Sequence, residues 1–323
     1  MYFNTFYIKL CLVFLLSNCN RVKHIVSNNT EASSIEMKAS ERRLYNDVEF
    51  LTEIKPSRSS DNLASLSTAA DYITREFEKA GLPTEKQKWR AGGNDYENII
   101  ASYNPDKKKR LIVGAHYDVC GDQPGADDNA SGIAGLLETA RLVAANRPEV
   151  DFRIDFVAYN LEEPPYFASN EMGSYIHARY LMENKIPVIG MLCFEMIGYF
   201  SDKPYSQNFP AEELGRIYPT TGNFIIVVGL EKQKEFSEKI HKLMNEGAAI
   251  DVQLINFPAP VGIASLSDHR NYWAFGFSAV MINDTSFLRN PNYHQKSDTI
   301  ETLNFEKMAA VVDAAYRAVL GLR

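Results

Sequence analysis

Cysteine is scarce in this chain. Four in 323 residues exclude a disulfide scaffold, and two of them, Cys11 and Cys19, fall within the first twenty positions. Cys120 and Cys193 remain, and the expectation for them is two free, buried thiols. Long apolar runs are missing as well. The run over 10–16 is too short to cross a bilayer and suits the core of an export leader over 1–18. Positive charge is in deficit, with 34 Lys and Arg against 41 Asp and Glu for a net charge of −7. Phosphate backbones bind to clustered positive charge, so this balance argues against a nucleic-acid partner. No repeat of solenoid period is visible, and no linker rich in Pro, Gly and Ser divides the chain after residue 38. One folded domain over 39–323 is the economical reading.

What the first residues do contain is directional. Leu15-Leu16-Ser17-Asn18-Cys19 resembles a bacterial lipoprotein processing box, which would place a lipid on Cys19 and leave 19–38 as a polar tether. The expected location is outside the cytoplasm: periplasmic, outer-membrane lipoprotein or secreted.

From residue 61 onward the patterning is rich. Residues 61–80 space Leu63, Leu66, Ala70, Ile73 and Phe77 at helical intervals and stop at Gly81. Strands over 84–89 and 97–103 flank the turn residues Gly92-Gly93-Asn94-Asp95. Short apolar strands over 111–115, 154–161, 188–197, 224–230 and 279–283 then alternate with helices over 131–145, 172–182, 231–246 and 304–322. Such alternation implies a mostly parallel sheet covered on both faces, with the first hairpin as an antiparallel edge. Ligands of such sheets collect beyond the carboxyl ends of the strands.

The chemistry-bearing residues fall at those ends. His116 and Asp118 stand at i and i+2, so the Asp118 carboxylate can accept a hydrogen bond from the imidazole and fix its tautomer. A core histidine and an ordinary helix cap from Asp127-Asp128 is the alternative there. Glu162 and Glu163 end the next strand and are followed by Pro164-Pro165. Adjacent carboxylates in that position call for a cation, one ligating it while the other stays free to take a proton from activated water; a solvated loop pair is the alternative. Glu195 interrupts an apolar run and needs a partner. His294 follows the last strand. Two imidazoles and several carboxylates exceed one tetrahedral zinc and suit two ions sharing a carboxylate.

The segments GAHYD, PGADDNASG, NLEE, CFEMIGY, SDHRNYW and NPNYHQKSDT, in this order from residue 98 to the C-terminus, resemble the zinc aminopeptidases of family M28. The resemblance implies a three-layer αβα fold with a central mixed, mostly parallel sheet, of the zinc exopeptidase or phosphorylase/hydrolase-like kind. It implies two Zn2+ ions held by His116, Glu163, Glu195 and His294 with Asp128 as the bridge, Glu162 as general base and Asp118 behind the metal. It also implies a cis peptide at Asp128-Asn129. Glu195 stands where the family usually has Asp, so its backbone must sit one methylene further back. Asp268 matches a site-lining position, with a hydrogen-bonding role or a helix cap as its two readings and Ser267 as the better cap in the first case.

The activity so implied is removal of N-terminal residues from peptides by activated water, with carboxypeptidase action left open. Two rivals share the fold: a glutaminyl cyclase-like acyltransferase with a single zinc, and a non-catalytic binding module. Pocket walls are expected from the loops over 199–218 and 257–266.

Overall fold

The computed structural model describes residues 38–322. The leader over 1–18, the lipidation of Cys19 and all but the last residue of the 19–38 tether lie outside the described residues.

Strands β1 (Thr84–Ala91) and β2 (Asn94–Tyr103) form a hairpin whose two-residue turn, Gly92-Gly93, has φ of 53° and 88°. A tight turn that matches strand twist needs positive φ at both central residues, which glycine adopts without steric cost. Strands β3 (Arg110–His116), β4 (Arg153–Tyr159), β5 (Val188–Glu195), β6 (Phe224–Leu230), β7 (Asp251–Phe257) and β8 (Ala279–Asn283) complete one sheet in the order β1-β2-β4-β3-β5-β8-β6-β7. The four central strands β4, β3, β5 and β8 are parallel. β2 meets β4 antiparallel, as the hairpin predicts. The other edge also reverses: β6 runs antiparallel to β8 and parallel to β7. Neither this second reversed edge nor β7 is legible in the sequence, because hydrophobic pattern carries no strand direction and β7 is only half-buried.

Among the described residues seven α-helices cover the sheet: α1 (Glu41–Glu53), α2 (Leu63–Lys79), α3 (Gly132–Asn146), α4 (Gly173–Glu183), α5 (Lys234–Asn245), α6 (His269–Ala274) and α7 (Phe305–Gly321). Alternate strand residues face alternate layers. Leu111, Val113, Phe156, Leu192, Phe194 and Val280 join the core beneath α1, α2, α3, α5 and α7. Ile112, Val157, Met191, Cys193 and Met281 join the core on the opposite face with α4 and α6. This is the three-layer α/β architecture, built by the two-residue period of the strands.

Helix α1 is hidden in the sequence because its surroundings are polar, yet Leu44, Val48 and Leu51 are fully buried at one-turn spacing. Buried charge ties it down. Arg43 Nε donates to Glu138 Oε2 at 2.8 Å, and Arg141 donates to both oxygens of Asp47 at 2.6 and 2.9 Å and to Glu76 at 2.8 Å.

The short parallel strands bring the expected residues to one edge of the sheet. His116 ends β3 and Glu195 ends β5, while Glu162-Glu163 lie just past β4, Asp128 in the loop after β3 and His294 in the loop after β8.

Candidate active site

The loop from Gly125 to Ser131 is stitched to its neighbours by its own side chains. Asn129 Nδ2 donates to the Phe194 carbonyl at 3.0 Å, and its Oδ1 accepts the main-chain N–H groups of Gly132 and Met196 at 3.0 and 3.1 Å. Ser131 Oγ accepts from Ile197 N at 3.0 Å, and Asp127 Oδ1 accepts from Gly198 N at 2.9 Å. Asp298, from the loop that carries His294, accepts the N–H groups of Asp127 and Asp128 at 2.9 and 3.1 Å. The Asp128-Asn129 peptide is cis. Leu161, Met196 and His294 all have positive φ, at 62°, 47° and 56°. Side chains other than glycine seldom adopt that region, and three such residues within or beside the same cluster mark a backbone shaped for a site.

Asp128 is the hub. Its Oδ1 lies 3.5 Å from His116 Nε2, and its Oδ2 lies 3.2 Å from His294 Nε2. On the first side, Glu195 Oε2 stands 3.2 Å and Glu162 Oε2 3.8 Å from the same His116 nitrogen. On the other, Glu163 Oε2 is 3.3 Å from His294 Nε2. The structure thus brings together all five residues expected to hold metal, with Glu162 beside them. Among the described residues two donor triads fall within 4.8 Å mutual reach: His116, Asp128 and Glu163; and Cys120, Glu163 and His294.

Charge makes the case for a cation. Asp118, Asp128, Glu162, Glu163 and Glu195 are each at most 5% exposed. Burying several carboxylates together is costly without compensating positive charge. Burial drives Glu162 well above the ordinary carboxylate range, with Glu163, Glu195 and Asp268 adding to the rise against His116. Burial and the neighbouring Asp128 raise Glu163 to about 8. Asp128 goes the other way: burial opposes its ionisation, but His116 and His294 outweigh it and hold it near 2. Burial would depress both imidazoles, yet the acids around them win, lifting His116 well above its usual value and His294 to about 10. His116 Nε2, Glu162 Oε1 and Glu163 Oε1 are buried without a hydrogen-bond partner. Orphaned donors and acceptors facing one another across a small gap fit metal ions of the zinc type, which take imidazole and carboxylate together.

Three expectations change in detail. His116 Nδ1 donates to the Asp118 main-chain carbonyl at 3.2 Å, with the Asp118 carboxylate at 3.4 Å. That carboxylate instead accepts the main-chain N–H groups of Glu162 at 3.2 Å and Glu163 at 3.0 Å. Ser267 does not cap α6; its hydroxyl donates to Glu195 Oε2 at 2.6 Å. Asp268 is fully buried and does not cap α6; burial raises it to about 7 against the pull of His116 and a hydrogen bond from Ser174. Cys120 and Cys193 are both free, but Cys120 is only half-buried.

Asp128, Glu162, Glu163 and Glu195 line a cleft of about 470 Å³ together with Phe167, Leu266, Phe287 and Tyr293. Tyr293 stacks on the His294 ring with centroids 3.9 Å apart. Beside it lies an apolar pocket of about 720 Å³ floored by Phe224, Ile226, Val228 and Met281. Its walls come from the two loops the sequence indicated, through residues such as Phe209, Tyr218 and Ile263, and it shares Leu266, Ser286 and Phe287 with the cleft. Residues of this floor belong to the sheet face that packs against α4 and α6.

A three-layer α/β fold with two imidazoles and a row of buried acids at its strand ends defines a hydrolase of the metallopeptidase class. The family profile described as Peptidase family M28 matches residues 98–319, and the chain belongs to that family. It is 41% identical over 283 residues to the Escherichia coli K12 protein YfbL, covering 85% of this chain and 86% of that one. A probable leucine aminopeptidase of Arthroderma otae is 27% identical over 283 residues, covering 83% of this chain and 69% of the relative. Among solved structures, the Legionella pneumophila LapA aminopeptidase shares the fold with a TM-score of 0.70 at 22% identity, covering 88% of this chain and 72% of that chain. A Bacteroides thetaiotaomicron glutaminyl cyclase shares it at 0.66 and 19%, covering 88% and 98%.

Proposed function

We propose that this peptidase is an aminopeptidase that would take two zinc ions, with His116, Glu195 and Asp128 to hold one and His294, Glu163 and Asp128 to hold the other. The observation that carries the reading is the Asp128 carboxylate, whose two oxygens face two different imidazoles. When bound, the ions supply Lewis acidity, polarising the scissile carbonyl and easing deprotonation of water. Glu162 takes the proton of the attacking water and hands it to the leaving amine. Its main-chain N–H is fixed by Asp118, and its Oε1 has no other hydrogen-bonded duty. Asp268, fully buried close to this group, adds negative charge that favours the positive amino terminus of a peptide.

The pocket beside the cleft supports apolar side chains at the cleaved end, since Ile226, Val228 and Met281 present no charge to a substrate group. The name of the fungal relative, a probable leucine aminopeptidase, agrees with that preference. Two equivalents of zinc per chain and hydrolysis of leucyl amides are the expected results. One tightly held zinc, with cyclisation of N-terminal glutamine and no hydrolysis, would favour the acyltransferase reading that the glutaminyl cyclase fold similarity raises. We also infer export, from the leader-like residues 1–18 and Cys19; the mass of the mature N-terminal peptide tests both the cleavage and the lipid.

A further inference from the structure

Cys120 lies in the loop that leaves β3, four residues after His116, and its thiol is free and half-buried. Its Sγ, a ring nitrogen of His294 and a carboxylate oxygen of Glu163 all lie within 4.8 Å of one another. Glu163 points independently to a missing ligand there: it is 4% exposed and its Oε1 has no hydrogen-bond partner. Donors that share one zinc sit about 2.0–2.3 Å from it and so at most roughly 4.5 Å apart. A small rotation of the Cys120 side chain would therefore bring sulfur into range of an ion that this imidazole and carboxylate would hold.

We propose that Cys120 Sγ is a thiolate ligand to the metal ion held by Glu163, His294 and Asp128. The inference rests on the metallopeptidase reading above and adds an asymmetry to it. On binding, the S–H bond breaks, its electron pair forms the sulfur–metal bond, and the proton leaves to solvent. The half-site on His116 and Glu195 presents nitrogen and oxygen only, whereas the half-site on His294 presents nitrogen, oxygen and sulfur. Soft thiolate donors favour zinc and cadmium, and all-oxygen-and-nitrogen sites accept manganese and cobalt more readily. The two halves thereby sort metals by softness, with the thiophilic ion beside Glu163.

Stepwise loading of the metal-free full chain with Co2+, followed by absorption, tests this directly. The visible ligand-field bands report that cobalt is bound, and a near-ultraviolet sulfur-to-cobalt charge-transfer band reports thiolate ligation. The expected result is both signals in the wild-type protein, with the charge-transfer band lost and the ligand-field bands kept in Cys120→Ser. With two equivalents of cobalt bound, ligand-field bands without a charge-transfer band, or a charge-transfer band that survives in Cys120→Ser, overturn the Cys120 assignment and leave the peptidase reading standing. No cobalt bound at all overturns both. Should Cys120→Ser fail to fold, alkylation of the wild-type chain mapped to the Cys120 peptide decides instead. Metal loading should slow it by about an order of magnitude, since a metal-held thiolate is not free to attack; equal rates with and without metal contradict the proposal.

Discussion

The carboxylate of Asp118 accepts the main-chain N–H of Glu163 at 3.0 Å, holding the turn that presents the paired glutamates instead of acting chiefly on the imidazole next to it. Its other oxygen takes the N–H of Glu162 at 3.2 Å. One side chain thus fixes the spacing between the proposed base and a proposed ligand. Asp118→Asn keeps the size but substitutes a neutral amide, one end of which is a donor that cannot accept an N–H. It should lower kcat/KM by about tenfold or more, the scale seen for groups behind a metal ligand, with smaller loss of bound zinc. Steady-state kinetics and elemental analysis of the same preparation separate the two effects.

Glu162→Gln removes the proton acceptor and leaves the five donors in place. Turnover should fall by roughly 10²–10⁴-fold while zinc content stays at the wild-type value. An active, metal-loaded Glu162→Gln protein would sink the base assignment.

Substitutions at the hub and at its flanks should differ in stoichiometry. Asp128→Ala removes the carboxylate that faces both imidazoles, so both ions should be lost or weakened together. His294→Ala should empty one half and spare the His116 half. Zinc per chain, measured after gel filtration, distinguishes the shared-carboxylate arrangement from two independent sites.

Metal binding should strengthen as pH rises. In the metal-free chain burial is overridden by the surrounding acids, holding His294 at about 10 and His116 well above its normal value, so both imidazoles carry protons at neutral pH. Ligation needs them neutral, and binding must expel those protons. Affinity is therefore low in acid and climbs toward a pH of about 10. Titration calorimetry in buffers of different ionisation enthalpy should give different observed heats; identical heats would show that no proton is released.

Away from the site, Arg141 neutralises buried acids that join α1, α2 and α3. Arg141→Ala strands Asp47, 2% exposed, and removes a second partner of Glu138, which is fully buried. Breaking such a pair from one side costs about 3–5 kcal/mol, which urea unfolding monitored by fluorescence should register as a lower midpoint.

The legible parts of this molecule were those where one physical signal dominates. Continuous apolar runs disclosed β3, β4, β5, β6 and β8 because strands buried on both faces have no polar side to confuse them. Isolated acids in those runs disclosed Glu195 and the glutamate pair. Helix α1 escaped because its anchoring is ionic, through Arg43 and Asp47 to residues some ninety positions away. Ser267 escaped for a similar reason: its bond to Glu195 spans 72 positions and has no local pattern. The same holds for Cys120, whose neighbours Glu163 and His294 come from two other strand ends. Strand direction at the β6–β7 edge depends on a crossover that residue spacing does not encode.

Leucyl-coumarin hydrolysis by the full chain, measured before chelation, after chelation and during stepwise return of zinc, tests the central claim most directly. The account predicts activity that vanishes on metal removal and returns in full only as the second equivalent of zinc binds. Undiminished hydrolysis by the metal-free protein, or no hydrolysis of any aminoacyl or dipeptide substrate by protein carrying two zinc ions per chain, would contradict it.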